Sequence, residues 1–275
     1  MRQIEIEELK RLELDILDFF VDICNKNQLS YFLSGGTLLG AIRHKGFIPW
    51  DDDIDVMMPR EDYDKLIQVF PEHEYYKFLY HGNTHNYPKV FGTINDMRTW
   101  KPEANIRKKC SIIQGINIDV FPIDTLPNDK QEIHNYYQEL SRMAHKVYCI
   151  TYSYMRNKTI LFTLKKFVGI TFYRTLEILG LITIDQMMKD YDKLAQRFQG
   201  IESKMCGVTV TSNYGEGEAN VKESYYPVKT VQFEGKDYCA PANYDVYLKG
   251  LYGNYMKLPP KEKQKPHHHS VSYWK

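Results

Sequence analysis

Four acids in five residues run straight into an apolar stretch: Asp51, Asp52, Asp53 and Asp55 in WDDDIDVMMP. Asp51, Asp53 and Asp55 alternate with Asp52, Ile54 and Val56, the two-residue period of a strand. That period sets the odd-numbered carboxylates on one face, about 6–7 Å apart along the chain. Carboxylates so close repel and raise each other's pKa unless a cation lies between them. Entering a buried strand without that cation would cost several kcal/mol. A solvated loop would avoid the cost, but the run continues directly into Val56-Met57-Met58. Hard oxygen ligands on a rigid strand suit Mg²⁺, or Mn²⁺ in its place, with phosphates and water completing the shell. The pattern predicts Asp53 and Asp55 as metal ligands, with Asp51 a third ligand or a support.

The flanking segments supply a context for a phosphate-bearing substrate. YFLS reads as a short strand, broken by Gly35-Gly36, with Thr37 placed to cap a helix TLLGAIRH. A strand, a Gly-Gly turn and a helix N-terminus bring backbone N–H groups together where phosphate oxygens bind well. After Pro59, REDYDKLIQVF reads as a helix opening on acids. YYKFLYHG, KVFGTINDMRTW and GINIDVFPID read as strands of the same sheet. The last offers Asp119, with Ile116, Ile118 and Val120 on the opposite face, as a third carboxylate: a metal ligand or the base for an attacking hydroxyl. Asp124 falls beyond Pro122 and is expected in a loop.

Elsewhere, Leu9, Leu12, Ile16, Leu17, Phe20 and Ile23 recur at helical spacing, and 129–150 is helical in pattern. The most apolar stretch, 159–184, contains Lys165, Lys166, Arg174 and Glu177. Each such charge costs ~2.5–3.5 kcal/mol at a bilayer centre, so the segment is expected to pack in the core, with a surface-lying amphipathic helix as the alternative. The last third reads as a helix MKDYDKLAQRFQ, a strand GVTVT, a turn NYGEGE, a hairpin across PVKTVQFEGKDYCAP, and a helix ANYDVYLKGLYGNYM. No repeat or linker divides the chain. The reading is one domain, 1–275: a core sheet from about 25–125 and 205–260, with a helical insertion at about 129–200.

Composition excludes several classes. Lys plus Arg (36) nearly balances Asp plus Glu (35), which argues against a dedicated nucleic-acid binder. Five scattered cysteines without CxxC spacing argue against a disulfide framework or a zinc site and fit a reducing compartment. The N-terminus carries acids through its apolar stretch, unlike a signal peptide. A cytoplasmic location is the expectation.

The order Gly-Gly, then Asp-x-Asp, resembles the nucleotidyltransferase fold of polymerase-beta-like enzymes: an α+β, mixed-sheet core, here with added helices. More specifically, LSGGTLLGAIRHKGFIPWDDDIDVMMPREDY resembles the signature of the LicD family of phosphocholine and related phosphotransferases, to which fukutin-type transferases are similar. FEGKDYCAPANYDVYLKGLYGNYMKLPPKEKQKPHHH resembles that family's ending. The resemblance implies transfer of phosphocholine, or another phospho-alcohol, from CDP-choline or another CDP-alcohol to a glycan hydroxyl. It implies Asp53, Asp55 and Asp119 as catalytic carboxylates, with Asp51 beside them at the metal. Gly35, Gly36 and Thr37 would lie on the phosphate side, with cationic help from Arg43 and Lys45. The acceptor would be a teichoic acid, capsule or lipopolysaccharide precursor, lipid-linked, giving 159–184 a role in peripheral contact with the inner face of the plasma membrane. His44, Arg60, Tyr63, His267 and His268 are lesser candidates for the same site. Two rival readings are a nucleotidyltransferase that attaches NMP to a small acceptor, and an inactive membrane-associated scaffold.

Overall fold

The computed structural model describes residues 1–103, 106–110, 114–153, 160–211, 214–265 and 271–275, and of 160–166 the backbone alone. The chain opens with β1 (Arg2–Ile4) and α1 (Ile6–Asn27). There follow β2 (Phe32–Leu33), α2 (Gly35–His44), β3 (Asp55–Pro59), α3 (Arg60–Val69), β4 (Tyr76–Leu79), β5 (Gly92–Asp96), β6 (Thr99–Trp100) and β7 (Ile116–Thr125). Three helices separate β7 from the next strand: α4 (Lys130–Thr151), α5 (Ile160–Ile178) and α6 (Ile184–Ala195). The remainder is β8 (Met205–Val208), β9 (Asn220–Val221), β10 (Lys229–Phe233), β11 (Lys236–Ala240), α7 (Tyr244–Tyr252) and β12 (Ser272–Trp274).

Among the described residues the main sheet has seven strands, β2-β3-β7-β5-β4, with β8 on β7 and β9 on β8. Only β3 and β7 run parallel, so the sheet is mixed and the class is α+β. The apolar stripe of α1 lies across β5 and β7, burying Leu9, Leu12, Ile16, Leu17, Phe20 and Ile23. This covers one face of the sheet under the acid-bearing strands.

Three elements depart from the sequence reading. First, β6 leaves the main sheet and pairs with β12, which pairs with β1, so the chain's last residues form a strand. Second, β7 continues through Pro122, and Asp124 lies on a strand, not in a loop. Along one edge, β5 pairs with β7 from Ile116 to Val120 and β8 pairs from Ile123 to Thr125. Pro122 falls in the gap between those partners, where that edge lacks a ladder hydrogen bond to lose. Third, α5 and the residues just after it do not simply fill the core. Ile170 is buried, but Val168, Phe172, Ile178, Leu179 and Leu181 are 55–83% exposed. Arg174 turns inward to the carbonyls of Cys149 and Tyr152, and Glu177 pairs with Arg107 and Lys109. Among the described residues no helix is long and apolar enough to cross a membrane.

Candidate active site

The site is built where α2 meets β3. The Ser34 N–H donates to Asp55 O (3.0 Å), and the Asp55 N–H donates to Thr37 Oγ1 (2.8 Å). Thr37 therefore does not cap α2; Ser34 holds that position, and Thr37 ties the first helical turn to the first residue of β3. Gly35 enters the helix with φ of 48°, a conformation that favours glycine. A Cβ there would lie 3.3 Å from Asp55 Oδ2, and one on Gly36 would lie 2.7 Å from Asp51 Oδ2. The Gly-Gly pair thus presses the helix entry directly against two of the acids.

The acids themselves come from a loop and two strands. β3 starts at Asp55, so Asp51 and Asp53 stand on an extended loop and the single-strand geometry is not realised. The alternation nevertheless survives in burial: Asp52 and Ile54 are buried, while Asp51, Asp53 and Asp55 are partly open. On the neighbouring strand, Asp119 is in register with Asp55 across the parallel pair. Its N–H donates to Ile54 O at 3.0 Å, fixing the strand to the acidic loop. Asn117 Nδ2 donates to Asp119 Oδ1 (2.8 Å), and Lys89 Nζ stands 3.4 Å from the same oxygen and 3.7 Å from Glu103.

Charge in the cluster is strained. Burial, followed by repulsion from Asp53, pushes Asp51 up to about 7. Burial and the charges of Asp53, Asp119 and Asp51 raise Asp55 well above the usual carboxylate range. Asp119 is also raised by burial, an effect that Lys89 and Lys101 oppose. Such a set is stabilised by a divalent cation, and oxygen donors alone fit Mg²⁺. Among the described residues no three His, Cys, Asp or Glu side chains form a ready-made metal cage. Mg²⁺ does not need one, because it takes one or two carboxylates and fills its shell with phosphate and water. Asp53, Asp55 and Asp119, with Asp51, are the carboxylates from which its one or two protein ligands could come.

The remaining candidates divide. Arg43 and Lys45 sit at the far end of α2, about 12–15 Å along its axis from Gly35. Arg43 donates to Tyr255 O (2.7 Å) and to His44 Nε2 (2.9 Å), while Lys45 is exposed. His44 also packs edge-on against Trp50. Arg60 is buried in an ion network, donating to both oxygens of Asp124 (2.7 and 3.0 Å) and to Asp192 (3.0 Å), with Tyr63 buried beneath it. It holds α3, β7 and α6 together, with its guanidinium engaged by these carboxylates. His267 and His268 lie outside the described residues.

Three further residues contribute to the site. Glu13 of α1 is fully buried under the cluster with Lys101 at 3.9 Å; burial raises its pKa, and Asp53, Asp52 and Asp119 raise it further. Its position on the stripe between Leu9 and Ile16 was a readable signal: an acid where the helix period demands an apolar residue. Lys89 and Tyr247 carried no such signal, since each depends on chain crossings that periodicity does not encode. Tyr247 accepts a hydrogen bond from the Gly35 N–H (3.3 Å) and lies 3.0 Å from Ser34 Oγ.

Comparison with known proteins bears on this arrangement. Residues 28–148 match the model of the LicD/FKTN/FKRP nucleotidyltransferase domain, an interval that contains the Gly-Gly turn, the acidic loop, Lys89 and Asp119. The chain is also 33% identical, over 99% of its own length and 99% of the relative's, to a lipopolysaccharide cholinephosphotransferase LicD of Haemophilus influenzae. The chain belongs to the LicD family. Shorter matches join this LicD-family chain to uncharacterized proteins of two rickettsiae. One from Rickettsia prowazekii is 45% identical over 19% of the chain and 20% of that protein. One from Rickettsia typhi is 37% identical over 26% and 24%.

Proposed function

We propose that the protein transfers phosphocholine from CDP-choline to a hydroxyl of a cell-surface glycan precursor, with Mg²⁺ held by Asp53, Asp55 and Asp119. The observation that carries this reading is Asp55 in register with Asp119 on parallel strands, with the Gly35-Gly36 helix entry pressed against Asp55 and Asp51. The named relative, alike from end to end, supports phosphocholine as the transferred group and a lipopolysaccharide-type glycan as acceptor; teichoic acid and capsule precursors share the required hydroxyl. The mixed sheet with a glycine-rich helix entry beside an acidic strand supports a polymerase-beta-like nucleotidyltransferase core, and the whole chain as one catalytic domain.

When bound, the metal supplies Lewis-acid neutralisation of the donor's diphosphate and of the departing CMP. The chain's own residues supply position and proton handling. The N–H groups of Gly36 and Thr37, in the turn that α2 cannot satisfy internally, are donors for diphosphate oxygens. Tyr247 occupies the Gly35 N–H and so fixes the turn. Asp119, with its raised pKa, is the third carboxylate or accepts the acceptor hydroxyl's proton. In this reading the acceptor is lipid-linked and the reaction runs on the cytoplasmic side; the exposed apolar residues at and after the end of α5 support a contact to the inner membrane face.

The test is incubation with CDP-choline, CDP-glycerol, CDP-ribitol, CTP and ATP, each with and without Mg²⁺, followed by nucleotide analysis. Mg²⁺-dependent CMP release from CDP-choline, abolished by Asp53→Asn, is expected. Release from CDP-glycerol or CDP-ribitol alone would change the donor. Pyrophosphate released from a triphosphate would replace this reading with nucleotidyl transfer.

A further inference from the structure

Helix α7 is anchored to the helix entry of the site and carries an aromatic ring to it. Tyr247 is buried and braces Ser34 and Gly35. Five residues on, Tyr252 ends the helix with its hydroxyl 3.7 Å from the point where a Gly35 Cβ would lie, the point that is 3.3 Å from Asp55 Oδ2. Tyr214 meets it edge to face, with ring centroids 5.2 Å apart and planes at 75°, and its hydroxyl donates to that of Tyr252 at 3.0 Å. The turn bearing Tyr214 is set on α7 by a reciprocal glycine contact. A Cβ on Gly217 would lie 2.5 Å from Gly250 O, and one on Gly250 would lie 2.4 Å from Gly217 O. Backbone rests on backbone there, which fixes the angle at which the two rings meet. Tyr214 keeps 38% of its surface open beside the acids.

We propose that Tyr214 and Tyr252 form two walls of an aromatic corner that receives the trimethylammonium head of the donor's choline. This rests on the phosphocholine reading above. A trimethylammonium group has no N–H to donate and spreads its charge over methyl groups, so it gains most from the negative faces of aromatic rings. Choline's two-carbon linker keeps the nitrogen close to the phosphorus that is transferred. The corner lies beside Asp55 and Gly35, where that phosphorus is placed. Burial foremost, with the Asp55 charge among the further causes, raises both phenols, consistent with a partly dehydrated, electronegative recess. Glycerol and ribitol heads, whose hydroxyls need hydrogen-bond partners, gain little from ring faces.

The test compares equilibrium binding, in Mg²⁺, of CDP-choline and its uncharged isostere CDP-3,3-dimethylbutanol. The wild type should prefer CDP-choline. Tyr214→Leu and Tyr252→Leu, with folding checked by thermal melting, should each cut that preference roughly fivefold, whereas Tyr214→Phe keeps the ring and the preference. An unchanged preference in the Leu variants overturns the inference. Equal weakening of both ligands overturns it too, because it assigns the rings to the nucleotide. A wild type that binds CTP but no CDP-choline removes the phosphocholine reading itself. Binding of CDP-choline with no preference over the isostere removes only the aromatic corner.

Discussion

Gly36 shows how little freedom the site leaves to a single residue. A methyl group there would lie 2.7 Å from Asp51 Oδ2, so the Asp51 carboxylate, its loop or the helix entry must shift. Gly36→Ala should therefore cut CMP release about 10²-fold, as misplacements near 1 Å do, while the thermal midpoint moves by only a few degrees. A midpoint that collapses, or activity that survives, would assign Gly36 a different role. Glu218 makes a pH-dependent prediction. It is 4% exposed, Oε2 has no hydrogen-bond partner among the described residues, and burial pushes its pKa from 4.5 up to about 8. The folded state thus holds this proton more tightly than the unfolded state. Its contribution is intact below about pH 4.5 and is lost as pH rises towards 8. Glu218→Gln should gain thermal midpoint over the wild type progressively across that window, and a pH-independent difference would contradict this. At this scale the sequence was informative about charge and silent about crossings. Asp53 and Asp55 stand out in the sequence by density and alternation, and Asp119 by alternation alone. Tyr247 and Lys89 matter only because distant segments meet them.

Among the elements, β7 does most to define the site. It carries both Asp119 and Asp124, and its parallel pairing with β3 sets Asp55 opposite Asp119. Apolar alternation revealed the strand, but Pro122 hid its length, because a proline's cost depends on which partner faces it. The Asp124–Arg60 pair then joins β7 to α3 and, through Asp192, to α6. Removing one partner of a buried pair leaves an uncompensated charge, so Asp124→Ala should cost about 3–5 kcal/mol in urea unfolding. CMP release per folded molecule should stay near that of the wild type. A variant of unchanged stability but with a raised KM for the donor would instead make Arg60 a substrate contact.

For the whole molecule, the apolar segment ahead of β8 poses the sharpest contrast between sequence and fold. Its charges suggested a helix that hides its apolar residues. In the structure, Arg174 and Glu177 point inward to partners while Phe172, Ile178, Leu179 and Leu181 face outward. Hydrophobicity alone could not reveal this inversion, since it depends on what Arg107 and the end of α4 offer. Co-sedimentation with anionic phospholipid vesicles should recover the wild type, and Phe172→Asp with Leu179→Asp should release it; no binding by the wild type removes the membrane contact. The individual strands and the helix entry were legible because local periods encode them, whereas the mixed order of the sheet came only with the resemblance to the polymerase-beta-like fold. Asp55 and Asp119, brought into register by two parallel strands, form one catalytic centre under the proposed function. The most direct measurement is Mg²⁺-dependent CMP release from CDP-choline by the wild type, Asp55→Asn and Asp119→Asn, each verified as folded. Losses of at least about 10²–10³-fold are expected in both variants and in the wild type with EDTA. Turnover that persists in either variant, or that ignores EDTA, would contradict it.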